Sequence, residues 1–217
     1  MRLRPSGNSG MLVPSLSSFE KYQQQSAWTW EHQALVRSRV IAGDKITAEC
    51  FNTIRVNQLR TKRNTEKLRD DVAEMRIKMR KHLDKSTKEG KYCLKQASGG
   101  IVDIEFMVQF AVLAWSHKSE ALVQWTDTVR LLETMSNTDV ISEQQAQQLI
   151  EAYKIFRSAA HDLQLQNQPA EVLLSKFTEQ REAVRLCWQS FLSNHKQEDS
   201  VTRSMIMSGM DSHIAGL

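Results

Sequence analysis

The stretch Gly99-Gly100-Ile101-Val102-Asp103-Ile104-Glu105-Phe106 opens the most apolar run of the chain, which continues as far as Trp115. The two glycines permit backbone geometry that other residues cannot adopt, and the apolar residues after them fit a helix. The run is too short to cross a membrane, and Asp103, Glu105 and Gln109 interrupt it. It therefore predicts a helix buried inside the bundle of a soluble protein.

The composition of the remaining chain also favours helices over sheets. Its 217 residues include only 8 Gly and 3 Pro, while residues with good helix propensity dominate. The three cysteines are far apart and show no metal-ligand spacing, which argues against a zinc site or a disulfide framework. We expect an all-α fold with reduced thiols, no signal segment and no membrane span, in a cytoplasmic protein.

Capping patterns and apolar periodicity predict the individual helices and the ends of the chain. Residues 1–14 predict a short β-hairpin-like remnant around a Gly-Asn-Ser-Gly turn, and residues 196–217 predict a flexible tail. The first helix is expected to begin at Ser17, the second to span Ala27 to Ile41 and the third to span Asn64 to Leu83. The next is expected to run from Gly100 to about His117. Three more follow, one capped by Thr126, one capped by Ser142 and a last one through Phe177 and Phe191.

Positive charge is concentrated in one part of the chain, although the net charge is only +4. Between Arg55 and Lys91 there are 13 Lys and Arg against 6 Asp and Glu. On the predicted helix there, an apolar stripe is expected to be buried, formed by Leu68, Val72, Met75 and Met79. Five cations are expected to remain largely outside it: Arg69, Arg76, Lys78, Arg80 and Lys81. This charge is consistent with a solvated helix face, or with a surface that attracts nucleotide phosphates or an acidic partner. It is only weak support for RNA binding.

Asp103 and Glu105 are the candidate site residues inside the apolar run. Carboxylates in a first helical turn can satisfy free N–H groups and interact favourably with the helix dipole. A buried acid also needs a cationic or hydrogen-bonding partner, which Lys95, Arg37 or Arg39 could supply. Both interpretations remain open from the sequence.

Two other patterns are interpreted as structural. Glu31-His32 lacks the second histidine that zinc chemistry of the HEXXH type requires, because position 36 is Val, so His32 is interpreted as a packed histidine. The tryptophans are interpreted as core anchors: Trp28, Trp30, Trp115, Trp125 and Trp188. The sequence contains no catalytic triad pattern, P-loop or dinucleotide fingerprint.

Four motifs stand in the order found in one bacterial family: Arg2-Leu3-Arg4-Pro5-Ser6-Gly7-Asn8-Ser9-Gly10, Glu31-His32-Gln33-Ala34-Leu35-Val36-Arg37, Gly99 to Phe106, and Trp125-Thr126-Asp127-Thr128-Val129-Arg130. From residue 1 to about residue 193 the chain resembles the C-terminal, adenylylating half of the bifunctional glutamine synthetase adenylyltransferase/adenylyl-removing enzyme. The sequence around Trp28 and Trp30 is more similar to this half than to the related deadenylylating half.

The resemblance implies an enzyme that transfers AMP from ATP to a tyrosine of glutamine synthetase, with a nucleotidyltransferase fold and Mg²⁺. In this family the metal-binding acids belong to a Gly-Ser…Asp-x-Asp motif and to the strand leading into Arg-Leu-Arg-Pro. These acids are expected to lie upstream of Met1. We therefore expect an N-terminally truncated chain that has no catalytic residue or metal ligand, binds no cofactor itself and is inactive alone.

The resemblance also implies roles for residues within the chain. Arg2, Arg4 and Lys95 are expected to contact phosphate. Arg37, Asp103 and Glu105 are expected to brace the interface with the nucleotidyltransferase domain.

The implied organisation is a nucleotidyltransferase remnant at 1–14, a helical domain at 15–195 and the tail at 196–217. The implied partners are glutamine synthetase and the PII signal protein, with no membrane and no nucleic acid. A free-standing helical regulator that binds glutamine synthetase or PII without catalysis is the alternative function. A basic RNA-binding bundle is a more distant one.

Overall fold

The computed structural model describes residues 13–83 and 90–192, which form a helical bundle with one very small sheet. The eight α-helices of this part are α1 Leu16–Gln25, α2 Thr29–Val36, α3 Lys45–Leu59, α4 Thr65–Leu83, α5 Ile101–Trp115, α6 Thr128–Asn137, α7 Glu143–Leu165 and α8 Thr178–Leu192. The strands β1 (Lys91–Cys93) and β2 (Glu171–Leu173) pair antiparallel, with Tyr92 opposite Val172. The expected all-α class is confirmed, whereas residues 1–12 of the expected hairpin remnant and the whole expected tail lie outside the described residues.

Helix α5 forms the centre of the bundle. All but three of its fifteen residues are buried, and it packs against α2, α4, α6, α7 and α8. A helix that is apolar around its whole circumference has no face that favours water, so the other helices surround it. The buried helix predicted from the Gly99 to Trp115 stretch is therefore confirmed. None of the helices in the described part is long and apolar enough to cross a membrane.

The caps of three helices follow the sequence with small shifts. Ser142 and Gln145 form the predicted capping box at the start of α7. The cap of α6 is Asp127 rather than the expected Thr126. The Asp127 carboxylate accepts a hydrogen bond from the backbone N–H of Arg130. The cap of α1 is Ser15 rather than Ser17. Adjacent residues of similar capping ability cannot be ranked from sequence alone, because backbone geometry selects between them.

Two features between residues 27 and 59 were not predicted correctly. Helix α2 is shorter than the expected helix, and α3 was missed altogether. The buried guanidinium of Arg55, on α3, donates to the backbone oxygens of Leu35 and Val36 at 2.9 and 2.8 Å, and to that of Val123 at 2.9 Å. A distant arginine thus satisfies carbonyl groups at the end of α2, which is a tertiary contact that local sequence patterns do not reveal.

Helix α4 carries the basic segment and differs from expectation at one residue. Of its predicted stripe, Leu68 and Val72 are buried, whereas Met75 and Met79 are partly buried and pack against the core. Arg76 was expected to remain largely outside the buried stripe, and this was wrong, because its side chain is completely buried. It follows Leu68 and Val72 at intervals of four residues and so lies on the same helix face.

The tryptophans divide into two groups. Trp115 and Trp188 pack against the core, and Trp30 is half-buried. The interpretation as core anchors is wrong for Trp28 and Trp125, which are 70% and 40% exposed. Trp28 occupies the N-cap position of α2, and Trp125 lies in the segment before α6. Positions at helix starts need not face the core, which explains the difference.

Candidate functional site

Asp103 is a buried carboxylate at the centre of a network between α4 and α5. Its oxygens accept from Arg76 Nε at 2.6 Å and from Arg80 Nη2 at 3.1 Å. The backbone N–H of Gly99 donates to Asp103 Oδ2 at 2.7 Å. The side chains of Arg76 and Asp103 are 0% and 1% exposed. Because the buried acid has both a cationic partner and a backbone donor, its burial is compensated within the fold.

Local geometry explains how Asp103 reaches the N–H of Gly99. Gly99 has a φ of +80°, and Gly100 is the N-cap of α5. Asp103 therefore lies in the first turn of the helix, where free N–H groups need acceptors. Arg76 extends the network further, since its Nη2 donates to the backbone oxygen of Gln96 at 2.7 Å. The turn before α5 is thereby fixed to α4.

Glu105 forms a second cluster on another side of α5. Its Oε1 accepts from Arg37 Nη1 at 2.6 Å and from the hydroxyl of Tyr153 at 3.2 Å. The Glu105 side chain is 15% exposed, whereas that of Arg37 is 44% exposed. One carboxylate thus links the residue after α2 to the middle of α7. The cluster is accessible to solvent, unlike the one at Asp103.

The structure brings together some of the residues singled out in the sequence. Arg37 and Glu105 form an ion pair, as one of the offered pairings suggested. Asp103 lies apart from them. Its partners are two arginines of α4, neither of which the sequence had indicated as a possible partner for the buried acids. Lys95 is exposed and forms no ion pair with any residue of 13–83 or 90–192.

The opening of the chain is not among the residues that the structure describes. Met1, Arg2 and Arg4 fall outside the described residues. The expectation that the catalytic acids lie upstream of Met1 therefore stays a prediction, and so do the phosphate contacts of Arg2 and Arg4.

The Asp103 partners could have been found from a signal that the sequence does contain. Leu68, Val72, Arg76 and Arg80 follow one another at intervals of four residues, so they form a single row along α4. A cation in line with a buried apolar row predicts a buried partner of opposite charge. The only acids in the most apolar helix of the chain are Asp103 and Glu105.

Glu31 and His32 have structural surroundings. The carboxylate of Glu31 is buried and accepts from the hydroxyl of Tyr22 and from the backbone N–H of Trp28, both at 2.9 Å. His32 Nε2 lies 3.0 Å from the backbone oxygen of Gln23, and burial lowers the pKa of this histidine. This agrees with the interpretation of His32 as a packed residue. Across the described ranges, no three His, Cys, Asp or Glu side chains are grouped so that they could hold a metal ion.

A groove of about 480 Å³ lies beside the Glu105 cluster, between the segment after α2 and the helices α6 and α7. We call it the basic groove, because four of its lining residues are cations: Arg37, Arg39, Lys154 and Arg157. Tyr153 and Asp127 also contribute to its wall. Its volume is in the range typical of sites for small molecules.

Two family models match successive parts of the chain. The model described as glutamate-ammonia ligase adenylyltransferase matches residues 1–54, and the model described as GlnD PII-uridylyltransferase matches residues 66–205. The two descriptions name different enzymes. Relatives that match nearly the whole chain therefore decide between them.

Curated proteins named bifunctional glutamine synthetase adenylyltransferase/adenylyl-removing enzyme match across both segments. The one from Pseudomonas putida is 48% identical over 87% of this chain, and that from Vibrio parahaemolyticus is 46% identical over 88%. The one from Pseudomonas aeruginosa is 47% identical over 86%. The chain belongs to the glutamine synthetase adenylyltransferase family. The resemblance carried by the four motifs is therefore confirmed.

The match covers only 20% of each of these relatives. This adenylyltransferase-family chain thus spans about a fifth of the length of the curated relatives it matches. Its described part corresponds to the bundle organised by α5 and by the Asp103 and Glu105 networks.

Proposed function

We propose that this chain is the helical part of the adenylylating half of a glutamine synthetase adenylyltransferase. The complete enzyme would transfer AMP from ATP to a tyrosine of glutamine synthetase and so regulate nitrogen metabolism. The observation that carries this proposal is the identity of 48% over 87% of the chain to a relative of that name. The family's Gly-Ser…Asp-x-Asp motif does not occur in the sequence, so the metal-holding acids would come from elsewhere in the enzyme.

The contacts within the bundle support a positioning role. The Asp103 network fixes the start of α5 to α4, and the Glu105 cluster ties the end of α2 to α7. Such rigid elements are what a catalytic domain needs to hold reacting groups in register. We propose that Arg37, Asp103 and Glu105 brace the neighbouring nucleotidyltransferase domain in this way, Arg37 and Glu105 by contact and Asp103 from the interior.

The remaining assignments are part of the same proposal. Arg2, Arg4 and Lys95 would contact phosphate, while ATP and Mg²⁺ would be bound by the complete enzyme. The domain division is 1–14, 15–195 and 196–217, and the expected partners in the cytoplasm are glutamine synthetase and the PII protein. Arginine suits phosphate because its planar guanidinium can donate two parallel hydrogen bonds.

A chimeric enzyme tests the role of the chain in AMP transfer. In the Pseudomonas putida relative, the segment matched by this chain is replaced by the chain itself. We expect the chimera to transfer label from α-³²P-ATP to glutamine synthetase at a rate within about tenfold of the parent, a loss of about 1.4 kcal/mol at most. The parent lacking the segment is the negative control. A chimera that is folded and soluble but transfers no AMP would contradict the proposal.

A second experiment tests the chain alone. Incubation of the 217-residue chain with labelled ATP, Mg²⁺ and glutamine synthetase is expected to give no labelled glutamine synthetase above the enzyme-free background. The sequence lacks the Asp-x-Asp motif, and residues 13–83 and 90–192 hold no group of three His, Cys, Asp or Glu side chains that could align metal ions. The complete Pseudomonas putida relative serves as the positive control. Labelling by the chain alone that requires Mg²⁺ would refute the proposed division of labour.

A further inference from the structure

We propose that the basic groove is a binding site for a small molecule that carries a di- or triphosphate group. This inference goes beyond the proposed function, since it concerns a surface formed entirely by the helical bundle and requires no AMP transfer. The groove has a volume of about 480 Å³ and is lined by Arg37, Arg39, Lys154 and Arg157. Sites for small molecules are commonly of this size.

Three of the four cations of the basic groove have no acidic partner in the part that the structure describes. Arg39, Lys154 and Arg157 are exposed, and none of them forms an ion pair with another residue of the part that the structure describes. Some cations on helices elsewhere in this bundle have acidic neighbours, as Lys78 has Glu74 and Arg185 has Glu182. Cations that line one concave surface without carboxylate partners raise the local positive potential and attract anions.

The fourth cation of the groove, Arg37, is already oriented by the fold. Glu105 holds Arg37 Nη1 at 2.6 Å and the hydroxyl of Tyr153 at 3.2 Å, so a largely buried carboxylate fixes two residues of the groove wall. The structure gives Arg37 no second acceptor among the described residues, so its remaining N–H groups are available. An arginine held in this way loses little entropy when it binds phosphate.

The one acid in the groove wall is already engaged. Asp127 caps α6 by accepting from the backbone N–H of Arg130 at 3.0 Å, and its other oxygen lies 3.9 Å from Arg130 Nε. The face of Trp125 covers the guanidinium of Arg130, whose carbon is 4.1 Å from the ring centre. Asp127 therefore offsets the positive potential of the groove only in part. The start of α6 adds the partial positive charge of a helix N-terminus.

The charge of the groove distinguishes between anions. A single carboxylate is neutralised by one arginine, as Glu105 neutralises Arg37. The other three cations of the groove, Arg39, Lys154 and Arg157, match the roughly three negative charges of a diphosphate group. Tyr153 and Val129 offer apolar surface in the same groove for the remainder of a ligand such as a nucleoside. Inorganic pyrophosphate and ADP share the phosphate chemistry, and comparing them shows whether the nucleoside contributes.

The test measures binding of pyrophosphate and of ADP to the whole 217-residue chain by isothermal titration calorimetry at about 50 mM salt, where surface electrostatics are weakly screened. We expect saturable binding of both, and weakening by at least about tenfold in the double variant Lys154→Ala/Arg157→Ala. The matched control Lys67→Ala/Lys81→Ala removes the same charge from exposed positions on α4 and is expected to bind as the unaltered chain does. Circular dichroism checks that every variant is folded.

Each outcome of this test is decisive. Tighter binding of ADP than of pyrophosphate identifies a nucleotide site, and equal binding identifies a site for the phosphate groups, both within the proposal. The proposal is overturned if the folded chain binds neither ligand, or if the two double variants weaken binding equally. It is also overturned if a polyglutamate peptide binds more tightly than pyrophosphate, since the groove would then recognise an acidic protein segment. None of these results depends on AMP transfer.

Discussion

Replacement of Asp103 by alanine is expected to lower the free energy of unfolding by about 3–5 kcal/mol, the cost of removing one partner from a buried ion pair. The substitution leaves the guanidinium of Arg76 fully buried without its carboxylate and leaves the N–H of Gly99 without its acceptor. Arg80 loses the same partner but is 29% exposed and can turn towards water. The cost therefore arises mainly from Arg76 and Gly99.

Urea unfolding followed by circular dichroism measures this effect. The matched control is Asp162→Ala, which removes an exposed aspartate of α7 and is expected to change stability by no more than about 0.5 kcal/mol. The double variant Arg76→Met/Asp103→Leu should recover part of the loss, because no buried cation then loses its carboxylate. Equal stability of the Asp103→Ala and Asp162→Ala variants would show that the buried network does not hold the bundle together.

The elements that the sequence predicted well are those defined by local patterns. The apolar run from Ile101 to Trp115 could only be a buried helix, and Ser142 with Gln145 marked the start of α7 correctly. Helix α3 was missed because it lacks a continuous apolar stripe. Two of its four buried residues are Arg55 and Gln58, and Arg55 is buried because it reaches backbone carbonyls far away in the sequence.

The candidate site shows the same division between local and tertiary information. The sequence indicated that Asp103 and Glu105 needed partners, since an acid in an apolar helix is costly without one. It offered Arg37 among the cations, and Arg37 does contact Glu105. Asp103 and Arg76 are 27 positions apart in the chain, and the way in which α4 crosses α5 brings them together. Only the packed structure defines that crossing.

The basic groove illustrates a third case, in which neither motif nor periodicity is informative. Arg37 and Arg39 follow α2, whereas Lys154 and Arg157 lie near the middle of α7, more than a hundred residues later. Each is unremarkable in its own segment. Their common surface arises because Glu105 of the central helix draws Arg37 and Tyr153 together from two sides.

Replacement of Gly99 by alanine is expected to lower the free energy of unfolding by more than about 3 kcal/mol. Its φ of +80° already costs an L-residue about 1–2 kcal/mol. A Cβ there would lie 2.5 Å from the backbone oxygen of Arg181 on α8, so the backbone of the turn or of the helix would have to move. Such a movement also threatens the hydrogen bond from Gly99 to Asp103.

Helix α8 cannot yield easily at this point, because Arg181 is held from two directions. Its Nη1 donates to the backbone oxygen of Leu174 at 2.6 Å, and its guanidinium carbon lies 3.9 Å from the centre of the Tyr92 ring. Gly90→Ala is the matched control, since Gly90 has a φ of +69° but no atom of the described residues lies within 4 Å of the added Cβ. It should cost only the conformational term of about 1 kcal/mol. Urea unfolding of both variants separates the two terms, and equal losses would mean that close packing against α8 contributes nothing to the requirement for glycine at position 99.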